Sequence, residues 1–368
     1  MAQFNPLNNW KIQGQKWLRN HLIDIVHIND CTTQIQQFPL NLGGIPTPEI
    51  RQMSSVHLPD PVLIDAYSLP PIYTATLNNI LYYSTYNCLF TSSRKLILES
   101  AGYLGYELKL EKFSLRTLYL KPVEKLSGTY SIYRAINRPT NYYHSLIDYL
   151  PRVYLLDQPD YQNQPIKLLL SSPPTNIENF FLQKLLPKNI ELCMVDSQKI
   201  YELETVVFPS IMTRPRAGYL PQPYLEYLLK KIAPKRPRNK INRIFISREK
   251  AKNRRIINED KLLEIIAKYG FKKYCLETLS VEEQIELFYD ADSVIAPHGA
   301  GLANLIFSRQ VNVLELFAEP KVLPHYYYLC QALDHRYDYC FAEYNSPQKL
   351  NGFSVNLQGI YNYLETLN

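Results

Sequence analysis

The chain has 368 residues, of which 46% are hydrophobic and 20% are charged. This composition is typical of a folded protein and excludes a disordered one, and the length suits two domains better than a single core. The formal net charge is +6, and no apolar run approaches the length of a membrane span, so we expect a soluble chain.

The cysteines and the N-terminal stretch indicate a compartment. The six cysteines are scattered and form no CxxC pair, so we expect reduced thiols in a cytoplasmic protein. The stretch MAQFNPLNNWKIQGQKWLRN lacks the apolar core of a signal peptide. Peripheral contact with a membrane, through basic side chains or through Trp10 and Trp17, stays open as an alternative.

The N-terminal half changes its pattern twice. Residues 1–58 show no clear element and are interpreted as a lead-in, and residues 59–120 carry short β-type runs such as TYNCLFTS and KLILES. Further on, strands are predicted at 128–133, 166–170, 191–195 and 205–208, and helices at 141–156, 177–186 (capped by Asn176) and 223–233. This alternation predicts a parallel sheet with helices on both faces. We therefore assign residues 59–233 to a first α/β domain that begins with a small, mostly antiparallel β region.

The segment PKRPRNK at 234–240 contains two prolines and is predicted to separate two domains. Strands are then predicted at 243–247, 273–276, 294–296 and 311–317, with one helix running from Asn258 to Gly270 and another that has Ser280 and Glu283 as a capping box. This pattern predicts a second, Rossmann-like domain over 241–345 and a tail at 346–368 that packs back on it. Ligands bind such sheets at the carboxyl ends of the strands.

The central motif of this second domain is DSVIAPHGAGLANLIF at residues 292–307. A short apolar strand ends at Pro297, which has no N–H to donate, and Gly299 and Gly301 are expected to let the chain turn sharply into a helix. Free amides and the helix dipole at such a turn bind phosphate. The alternative is an ordinary strand-to-helix loop that carries a solvated histidine.

Basic residues crowd one region of the chain, with Glu249 as the only acidic residue among them. They are Lys230, Lys231, Lys235, Arg236, Arg238, Lys240, Arg243, Arg248, Lys250, Lys252, Arg254 and Arg255. The cluster predicts an anionic partner, which is a phosphorylated donor, an acidic membrane surface or nucleic acid. Nucleic acid is the least favoured of the three because the sequence contains no nucleic-acid-binding signature.

These motifs, taken in order, resemble glycosyltransferase family 61. The runs RIFISREKAKNRRIINED, SVEEQIELF, PHGAGLANLIF and VLELF are similar to its C-terminal half, and NYYHSLIDYLPRVYLL at 141–156 is similar to its N-domain signature. The resemblance implies the GT-B fold, in which two Rossmann-like domains face a cleft, and an inverting transferase that needs neither metal nor cofactor. It also implies a nucleoside-diphosphate sugar as donor. Bacterial members are usually described as capsular polysaccharide biosynthesis proteins, so we expect a glycan or lipid-linked acceptor.

Basic candidates lie at and after the end of the first strand of the second domain. Arg248 follows this strand, where a fixed guanidinium would stabilise the charge of a departing diphosphate. Of Arg254 and Arg255 on the following loop, we expect one to be functional. The other is expected to be a surface charge or a partner of Glu259, which we count with the donor site.

The glycine turn supplies the remaining donor-site candidates. His298 is expected to donate a hydrogen bond to the diphosphate, beside the amides of Gly299, Ala300 and Gly301. Glu315 ends the last predicted strand at the same edge of the sheet. It either accepts hydrogen bonds from the ribose hydroxyls or simply faces solvent.

The first domain offers candidates for the base. His144, Asp148 and Arg152 are spaced at i, i+4 and i+8, so they are expected to share a helix face. An acceptor hydroxyl loses its proton as it attacks the anomeric carbon, and Asp148 is the first candidate to take it, with His144 orienting or replacing it. The alternative is an exposed ion pair between Asp148 and Arg152. Pro151 is expected to distort the helix.

Other classes of function are less well supported. Asp290-Ala291-Asp292 spells the DxD of metal-dependent sugar transferases, but it lies between a helix and a core strand, so we interpret it as a chance match and predict no metal site. A catalytically silent scaffold that binds nucleotide sugars is the second hypothesis. An NAD-dependent oxidoreductase is disfavoured because the glycine turn is not GxGxxG.

Overall fold

The computed structural model describes residues 23–38, 51–53, 62–64, 70–101, 119–134, 141–213, 218–318, 323–342 and 352–367. The strands, in chain order, are β1 (Ile25–Val26), β2 (Ile35–Gln37), β3 (Arg51–Met53), β4 (Val62–Ile64), β5 (Tyr73–Tyr83), β6 (Cys88–Phe90), β7 (Leu96–Ile97), β8 (Val123–Ile132), β9 (Ile166–Leu170), β10 (Ile190–Met194), β11 (Ile200–Pro209), β12 (Asn242–Ile246), β13 (Arg255–Ile256), β14 (Phe271–Tyr274), β15 (Ala291–Pro297), β16 (Asn312–Phe317), β17 (Arg336–Phe341) and β18 (Gly352–Phe353). The α-helices are α1 (Leu150–Leu156), α2 (Asn176–Leu185), α3 (Gln222–Ile232), α4 (Glu259–Ile266), α5 (Val281–Tyr289), α6 (His325–Ala332) and α7 (Leu357–Glu365). A π-helix covers His144–Tyr149, and 3-10 helices cover Ile28–Asp30, Leu98–Ala101, Pro159–Tyr161, Ala267–Tyr269, Leu276–Thr278 and Ala300–Phe307.

The chain divides into two compact units, and neither is continuous in sequence. Within the described ranges, the first unit contains residues 23–38, 70–101, 119–134 and 148–213. The second contains residues 51–53, 62–64, 141–147, 218–318, 323–342 and 352–367. The predicted lead-in and the start of the predicted β region lie partly outside the described residues.

The first unit is built on a mixed sheet of nine strands in the order β1-β7-β6-β5-β11-β8-β9-β10, with β2 paired to β5. Strands β8 to β11 include the predicted parallel pairs, whereas β5 pairs antiparallel with β11. The small β region with which the first domain was predicted to begin is therefore part of the same sheet. Tyr82, Leu203 and Phe208 belong to its buried core.

Two helices of the N-terminal half differ in detail from their predictions. The predicted helix at 141–156 contains a π-helix, and Pro151 lies in the first turn of α1, where its missing N–H costs little. Helix α2 is capped by Thr175, which forms a capping box with Glu178. Asn176, the predicted cap, is the first residue inside the helix, because the hydroxyl of Thr175 accepts the hydrogen bond from the backbone N–H of Glu178.

The second unit contains a five-stranded sheet in the order β14-β12-β15-β16-β17, and all of its strand pairs are parallel. The α/β class with parallel strands is thus confirmed. In chain order the five strands run 2-1-3-4-5, so the order reverses between β12 and β15. Sheets of this kind bind ligands at the carboxyl ends of the strands beside this switch point.

The predictions for the ends of the helices that follow β12 and β14 are confirmed only in part. The capping box of α5 is confirmed, because Ser280 accepts from the backbone N–H of Glu283 and Glu283 accepts from that of Ser280. Gly270 ends the turn after α4 in the left-handed conformation, with φ of 81°. The side chain of Asn258 makes no cap. It bonds to the backbone of Val355 instead and ties α4 to the C-terminal part of the chain.

The segment at 234–240 lies inside the second unit. Arg236 forms an ion pair with Asp290 at 2.8 Å, and Arg238 donates to the carbonyl oxygens of Tyr289 and Phe307. Of the points at which the two units divide, the last in the chain follows residue 215, ahead of α3. The arginine side chains of this segment therefore fix it to the second unit.

The cysteines are all free thiols, and Cys88, Cys330 and Cys340 are buried. Burial, with a contribution from Asp338, raises the pKa of Cys340 to about 12. Such a thiol stays protonated and unreactive at neutral pH. Among the helices that the structure describes, none is both long enough and apolar enough to cross a membrane.

Candidate functional site

Arg248 and His298 lie at the same edge of the second unit's sheet. Strands β12 and β15 are parallel neighbours, and their register pairs Phe245 with Ile295. Residues three positions further along each strand therefore come level at the carboxyl edge, and Arg248 and His298 occupy these positions. The structure thus brings together two predicted donor-site residues at the switch point, and what they bind stays a prediction.

The guanidinium of Arg248 lies against Gly299. Its Nε donates to the carbonyl oxygen of Asn253 at 3.1 Å. A Cβ added at residue 299 would overlap Nη1 of Arg248 and lie 3.4 Å from its Cζ. Gly299 has φ of 173°, an extended conformation open to any residue, and Gly301 is not among the glycines with positive φ. The expectation of a sharp glycine turn is corrected, because residue 299 needs glycine for the close approach of Arg248.

Arg254 reaches the same point from the loop before β13. Its Nη1 donates to the carbonyl oxygen of His298 at 2.6 Å. In the part of the chain that the structure describes, no carboxylate forms an ion pair with Arg248 or Arg254. Burial, and then the positive charge of Arg254, lowers the pKa of Arg248, against smaller opposing effects of Glu277 and Tyr326. Two cations that form no ion pair with a carboxylate of the described chain favour the binding of an anion.

Arg255 and Glu259 have other partners. Arg255 is exposed, and its Nε donates to the carbonyl oxygen of Ala251 at 2.7 Å. Glu259 is 8% exposed, and its carboxylate accepts from Ser247 Oγ at 2.8 Å and pairs with Lys273 at 2.7 Å. Of the two alternatives for the second arginine, the surface charge fits the exposed Arg255, and the pairing with Glu259 does not. The neighbouring strand β14 brings Lys273 to it, and together they hold the end of β12.

The helix after the glycine turn is a 3-10 helix, Ala300–Phe307, that begins at Gly299 without a side-chain cap. The backbone N–H of Leu302 bonds to the Gly299 carbonyl at 3.1 Å. The amides of Ala300 and Gly301 precede it at the open end of the helix, where N–H groups have no partner within the helix. These amides are available to an anion.

The ring of His298 is held by polar and aromatic contacts. Its Nδ1 lies 2.5 Å from Oε1 of Glu315, and 12% of its side chain is exposed. The ring stacks on Phe317 at a centroid distance of 5.4 Å, and Tyr326 packs against it at 5.6 Å. Within the described ranges, no protein atom forms a hydrogen bond with Nε2. Nε2 is therefore the ring nitrogen left for a ligand.

Glu315 reaches the predicted edge of the sheet but has 0% exposure. Its second oxygen accepts from the hydroxyl of Tyr337 on β17 at 2.5 Å. The solvent-facing alternative is wrong, because β17 covers Glu315 on the side that the sequence left open. Both carboxylate oxygens of Glu315 thus accept hydrogen bonds from inside the protein. This geometry favours a role for Glu315 in positioning His298 over the predicted contact of Glu315 with ribose.

Two tyrosines that sequence reasoning missed support the turn. The Tyr326 hydroxyl donates to the Gly299 carbonyl at 2.6 Å. The Tyr142 hydroxyl donates to Asn304, whose side-chain amide donates to the Gly301 carbonyl at 3.1 Å. Tyr142 lies in the segment that carries the N-domain signature, and this signature could have identified it from the sequence. No sequence pattern distinguishes Tyr326 from the other tyrosines of the chain, which number 30 in all.

Asp148 and Arg152 are buried in the first unit, at 2% and 1% exposure. Thr213 donates to Asp148 Oδ1 at 2.9 Å. Arg152 donates to the carbonyl oxygens of Pro209 and Tyr133, and burial lowers its pKa to about 10. The alternative of an exposed ion pair is therefore wrong. The role of Asp148 as a base stays a prediction.

His144 belongs to the second unit, because the units divide between Ile147 and Asp148. Its backbone N–H donates to the side chain of Asn141 at 2.9 Å, and the ring of Tyr143 packs edge-on against its own. The π-helix adds a residue to the turn between His144 and Asp148. The shared role of His144 and Asp148 stays a prediction.

The DxD residues lie at the amino end of β15, whereas His298 follows its carboxyl end. At about 3.3 Å per residue, the strand separates the two by roughly 20 Å. Asp290 pairs with Arg236 at 2.8 Å and Asp292 with Arg243 at 3.1 Å. The carboxylates of the motif are thus engaged in ion pairs at the opposite edge of the sheet. Among the residues described here, no group of three or more histidine, cysteine, aspartate or glutamate side chains is placed to hold a metal ion.

Residues 142–314 match the family model described as Glycosyltransferase 61. The match begins at Tyr142, contains Arg248, Arg254 and His298, and ends at Leu314 on β16. The chain contains a family 61 glycosyltransferase domain. The resemblance drawn from the sequence is confirmed.

One relative of this family 61 domain is the EGF domain-specific O-linked N-acetylglucosamine transferase of Drosophila melanogaster. The two chains are 37% identical over 76 residues, which is 20% of this chain and 14% of that protein. The matched part thus spans a small fraction of the relative's length. Glu315, Tyr326 and Tyr337, which hold the turn and His298, lie beyond the range matched by the family model.

Proposed function

We propose that the family 61 domain transfers a sugar from a nucleoside-diphosphate donor. Arg248, Arg254, His298 and the amides of Ala300 and Gly301 bind the two phosphates of this donor. One observation carries the proposal. Two guanidinium groups that have no carboxylate partner in the described part of the chain converge on an open helix end, at the switch point of a parallel sheet.

The proposed reaction is a single in-line displacement. An acceptor oxygen forms a bond to the anomeric carbon while the bond from that carbon to the diphosphate breaks, which inverts the configuration of the sugar. Negative charge accumulates on the departing phosphate, where Arg248 and Arg254 stabilise it. The proton of the acceptor hydroxyl passes to a base, for which Asp148 is the first candidate and His144 the second.

The proposal includes a reaction without metal or cofactor, because two fixed guanidinium groups supply the positive charge that a divalent cation would otherwise bring. The GT-B arrangement is part of the same proposal, with the donor on the second unit and the acceptor on the first. Glu259, Arg255 and Glu315 then support the donor site through their neighbours, since their own side chains are engaged as described above.

The acceptor is proposed to be a glycan or a lipid-linked intermediate of capsular or extracellular polysaccharide synthesis. The location that fits this role is the cytoplasm, with peripheral attachment to the inner membrane through exposed basic side chains. Nucleic acid is not part of the proposal. The name of the Drosophila relative includes N-acetylglucosamine, so a nucleotide donor of that sugar is the first to test.

A catalytically silent nucleotide-sugar-binding scaffold of a polysaccharide assembly complex is the second candidate. The burial of Asp148, with only 2% exposure and a hydrogen bond from Thr213, favours it, because a base must reach its acceptor. Both candidates use the same donor site. They differ in whether sugar transfer or donor hydrolysis occurs at all.

The test is a thermal-shift panel of nucleoside diphosphates and nucleotide sugars, followed by transfer and hydrolysis assays. A ligand present at a hundred times its Kd stabilises the fold by about 2.7 kcal/mol, which is readily detected. The transferase predicts turnover that is lost in Asp148→Asn while nucleotide binding is retained. Binding without any turnover supports the scaffold, and no shift with any nucleotide overturns both.

A further inference from the structure

The loop after β14 brings a carboxylate to the edge of the sheet that carries the proposed donor site. The strand order places β14 and β15 on either side of β12, so the loops after these three strands lie side by side. The register pairs Ile246 of β12 with Tyr274 of β14. Arg248 and Leu276 lie two positions beyond this pair, and Glu277 follows Leu276. Glu277 is therefore on one side of Arg248, and the glycine turn after β15 is on the other.

Two observations place Glu277 close to Arg248 and to the glycine turn. A Cβ added at Gly301 would lie 2.8 Å from Cδ1 of Leu276, so the residue before Glu277 packs directly on the turn. Burial and the charge of Arg254 lower the pKa of Arg248, and the negative charge of Glu277 partly offsets this effect. The carboxylate of Glu277 thus lies within electrostatic reach of the guanidinium.

The backbone that carries Glu277 is held in place by buried side chains. The side-chain amide of Gln284 on α5 donates to the carbonyl oxygens of Leu276 at 3.0 Å and Leu279 at 3.2 Å. Gln284 in turn accepts at 3.0 Å from Asn304, which lies in the helix after the glycine turn. Gln284 is 9% exposed and Asn304 is 0% exposed. These hydrogen bonds connect the loop to the turn and fix the position of one against the other.

Glu277 differs from the neighbouring carboxylates because its side chain has no partner within the described ranges. Glu315 and Glu259 are engaged by the partners described above. Glu249 pairs with Lys273 at 2.6 Å and also accepts from a neighbouring thiol. Glu277 is exposed, and among the described residues it forms neither a hydrogen bond nor an ion pair. Of the described carboxylates on these strand ends and the loops directly after them, Glu277 is therefore the one open to a ligand.

We propose that Glu277 binds the 2′ and 3′ hydroxyls of the donor's ribose and thereby selects ribonucleoside over 2′-deoxyribonucleoside diphosphates. This inference rests on the proposed donor site. A carboxylate accepts hydrogen bonds from two neighbouring hydroxyls, whereas it repels a phosphate. In Rossmann-type dinucleotide sites, an acidic residue about 20 residues after the first phosphate-binding turn binds the ribose. Glu277 has the corresponding place, because it follows the first helix and the second strand of this unit.

The selection follows from the number of hydroxyls that the carboxylate binds. A 2′-deoxyribonucleotide leaves one oxygen of Glu277 without its partner. We expect the protein to bind uridine diphosphate about tenfold more tightly than 2′-deoxyuridine diphosphate. Water reaches the exposed carboxylate and replaces the missing hydroxyl, so the factor stays near the lower end for hydrogen bonds to charged groups. Sugars carried on deoxythymidine diphosphate are disfavoured as donors for the same reason.

The experiment is isothermal titration calorimetry of the wild type and Glu277→Ala with uridine diphosphate, its 2′-deoxy counterpart and inorganic pyrophosphate. In Glu277→Ala, affinity for uridine diphosphate should fall about tenfold, and the preference for ribose should shrink to about twofold or less. Affinity for pyrophosphate, which has no ribose, should stay the same or rise, because an opposing negative charge is gone. The same comparison with guanosine nucleotides covers a guanine donor.

Glu286→Ala is the matched control, because it removes the same charge from the second unit. Glu286 is exposed and pairs with Arg236 at the opposite edge of the sheet. This variant should bind all three probes as the wild type does. Glu277→Gln keeps one side-chain oxygen that accepts a hydrogen bond, and it should therefore retain part of the preference for ribose.

The three probes separate this inference from the proposed function. An unchanged preference for ribose in Glu277→Ala would overturn the role of Glu277 and leave the donor site standing. Equal binding of the ribose and deoxyribose forms by the wild type would do the same. An equal loss of affinity for pyrophosphate in Glu277→Ala would show a structural effect on the turn and would also overturn the inference. If neither the nucleoside diphosphates nor pyrophosphate bind, the proposed function fails, and the selection of ribose fails with it.

Discussion

Replacing Arg248 by alanine separates binding from folding. Arg248 has no carboxylate ion-pair partner among the described residues, donates to the carbonyl oxygen of Asn253 in its own loop at 3.1 Å, and lies near the like charge of Arg254. Loss of this side chain should therefore change the free energy of unfolding by no more than about 0.5 kcal/mol. A hydrogen bond to a charged group contributes about 1.5–3 kcal/mol, so the Kd for a nucleoside diphosphate should rise about 10- to 150-fold.

The assay pairs urea unfolding with calorimetric titration, and Arg243→Ala is the matched control. Arg243 lies on the same strand, β12, but pairs with Asp292 at the opposite edge of the sheet. Its loss should lower stability by up to about 1 kcal/mol, as for other partly exposed pairs, and leave nucleotide affinity unchanged. Our reasoning would be refuted if Arg248→Ala left the Kd unchanged, or if Arg243→Ala weakened binding as much.

Three further outcomes are expected. Gly299→Ala should displace the Arg248 guanidinium and raise the Kd about tenfold or more with the fold intact, because the added Cβ overlaps Nη1; an unchanged Kd would show that Arg248 moves aside freely. Chelators should leave transfer activity unchanged. If a chelator abolished activity and Mn²⁺ restored it, the DxD motif would have to be reconsidered as a metal site. Burial lowers the pKa of His335 to about 4, whereas it is about 6.5 in the unfolded chain. The contribution of His335 to the free energy of unfolding is therefore complete above pH 6.5. It falls by about 3 kcal/mol as the pH is lowered toward 4. His335→Gln should remove that part of the pH dependence in urea unfolding, and an identical pH profile in both proteins would contradict the assignment.

The sequence was most informative where local pattern and strand direction decide the geometry. Alternating strands and helices predicted the parallel sheet, and parallel strands bring their carboxyl ends to one edge, so the order of the motifs was enough to place Arg248 and His298 together. The capping box at Ser280 is equally local, because the residues that form it lie within one turn.

Contacts between residues distant in sequence could not be predicted in this way. Arg236 and Arg243 belong to a basic run that suggested an anionic partner, yet Asp290 and Asp292 pair with them from 54 and 49 residues further along the chain. The burial of Glu315 depends on β17, a strand that the pattern did not reveal. One-dimensional spacing carries no information on which strand covers which side chain.

The stretch at 141–147 has a consequence for dissecting the protein. It belongs to the second unit, although the chain on both sides of it belongs to the first. It supplies the Tyr142 hydroxyl that bonds to Asn304, and the ring of Tyr143 that packs on His325 at 5.4 Å and on Tyr326 at 5.8 Å. A fragment that starts at residue 216 would lack these contacts behind the turn at Gly299. Cutting the gene at the apparent domain border would therefore yield an incomplete second unit, and a synthetic peptide with this short sequence should restore part of its stability in trans.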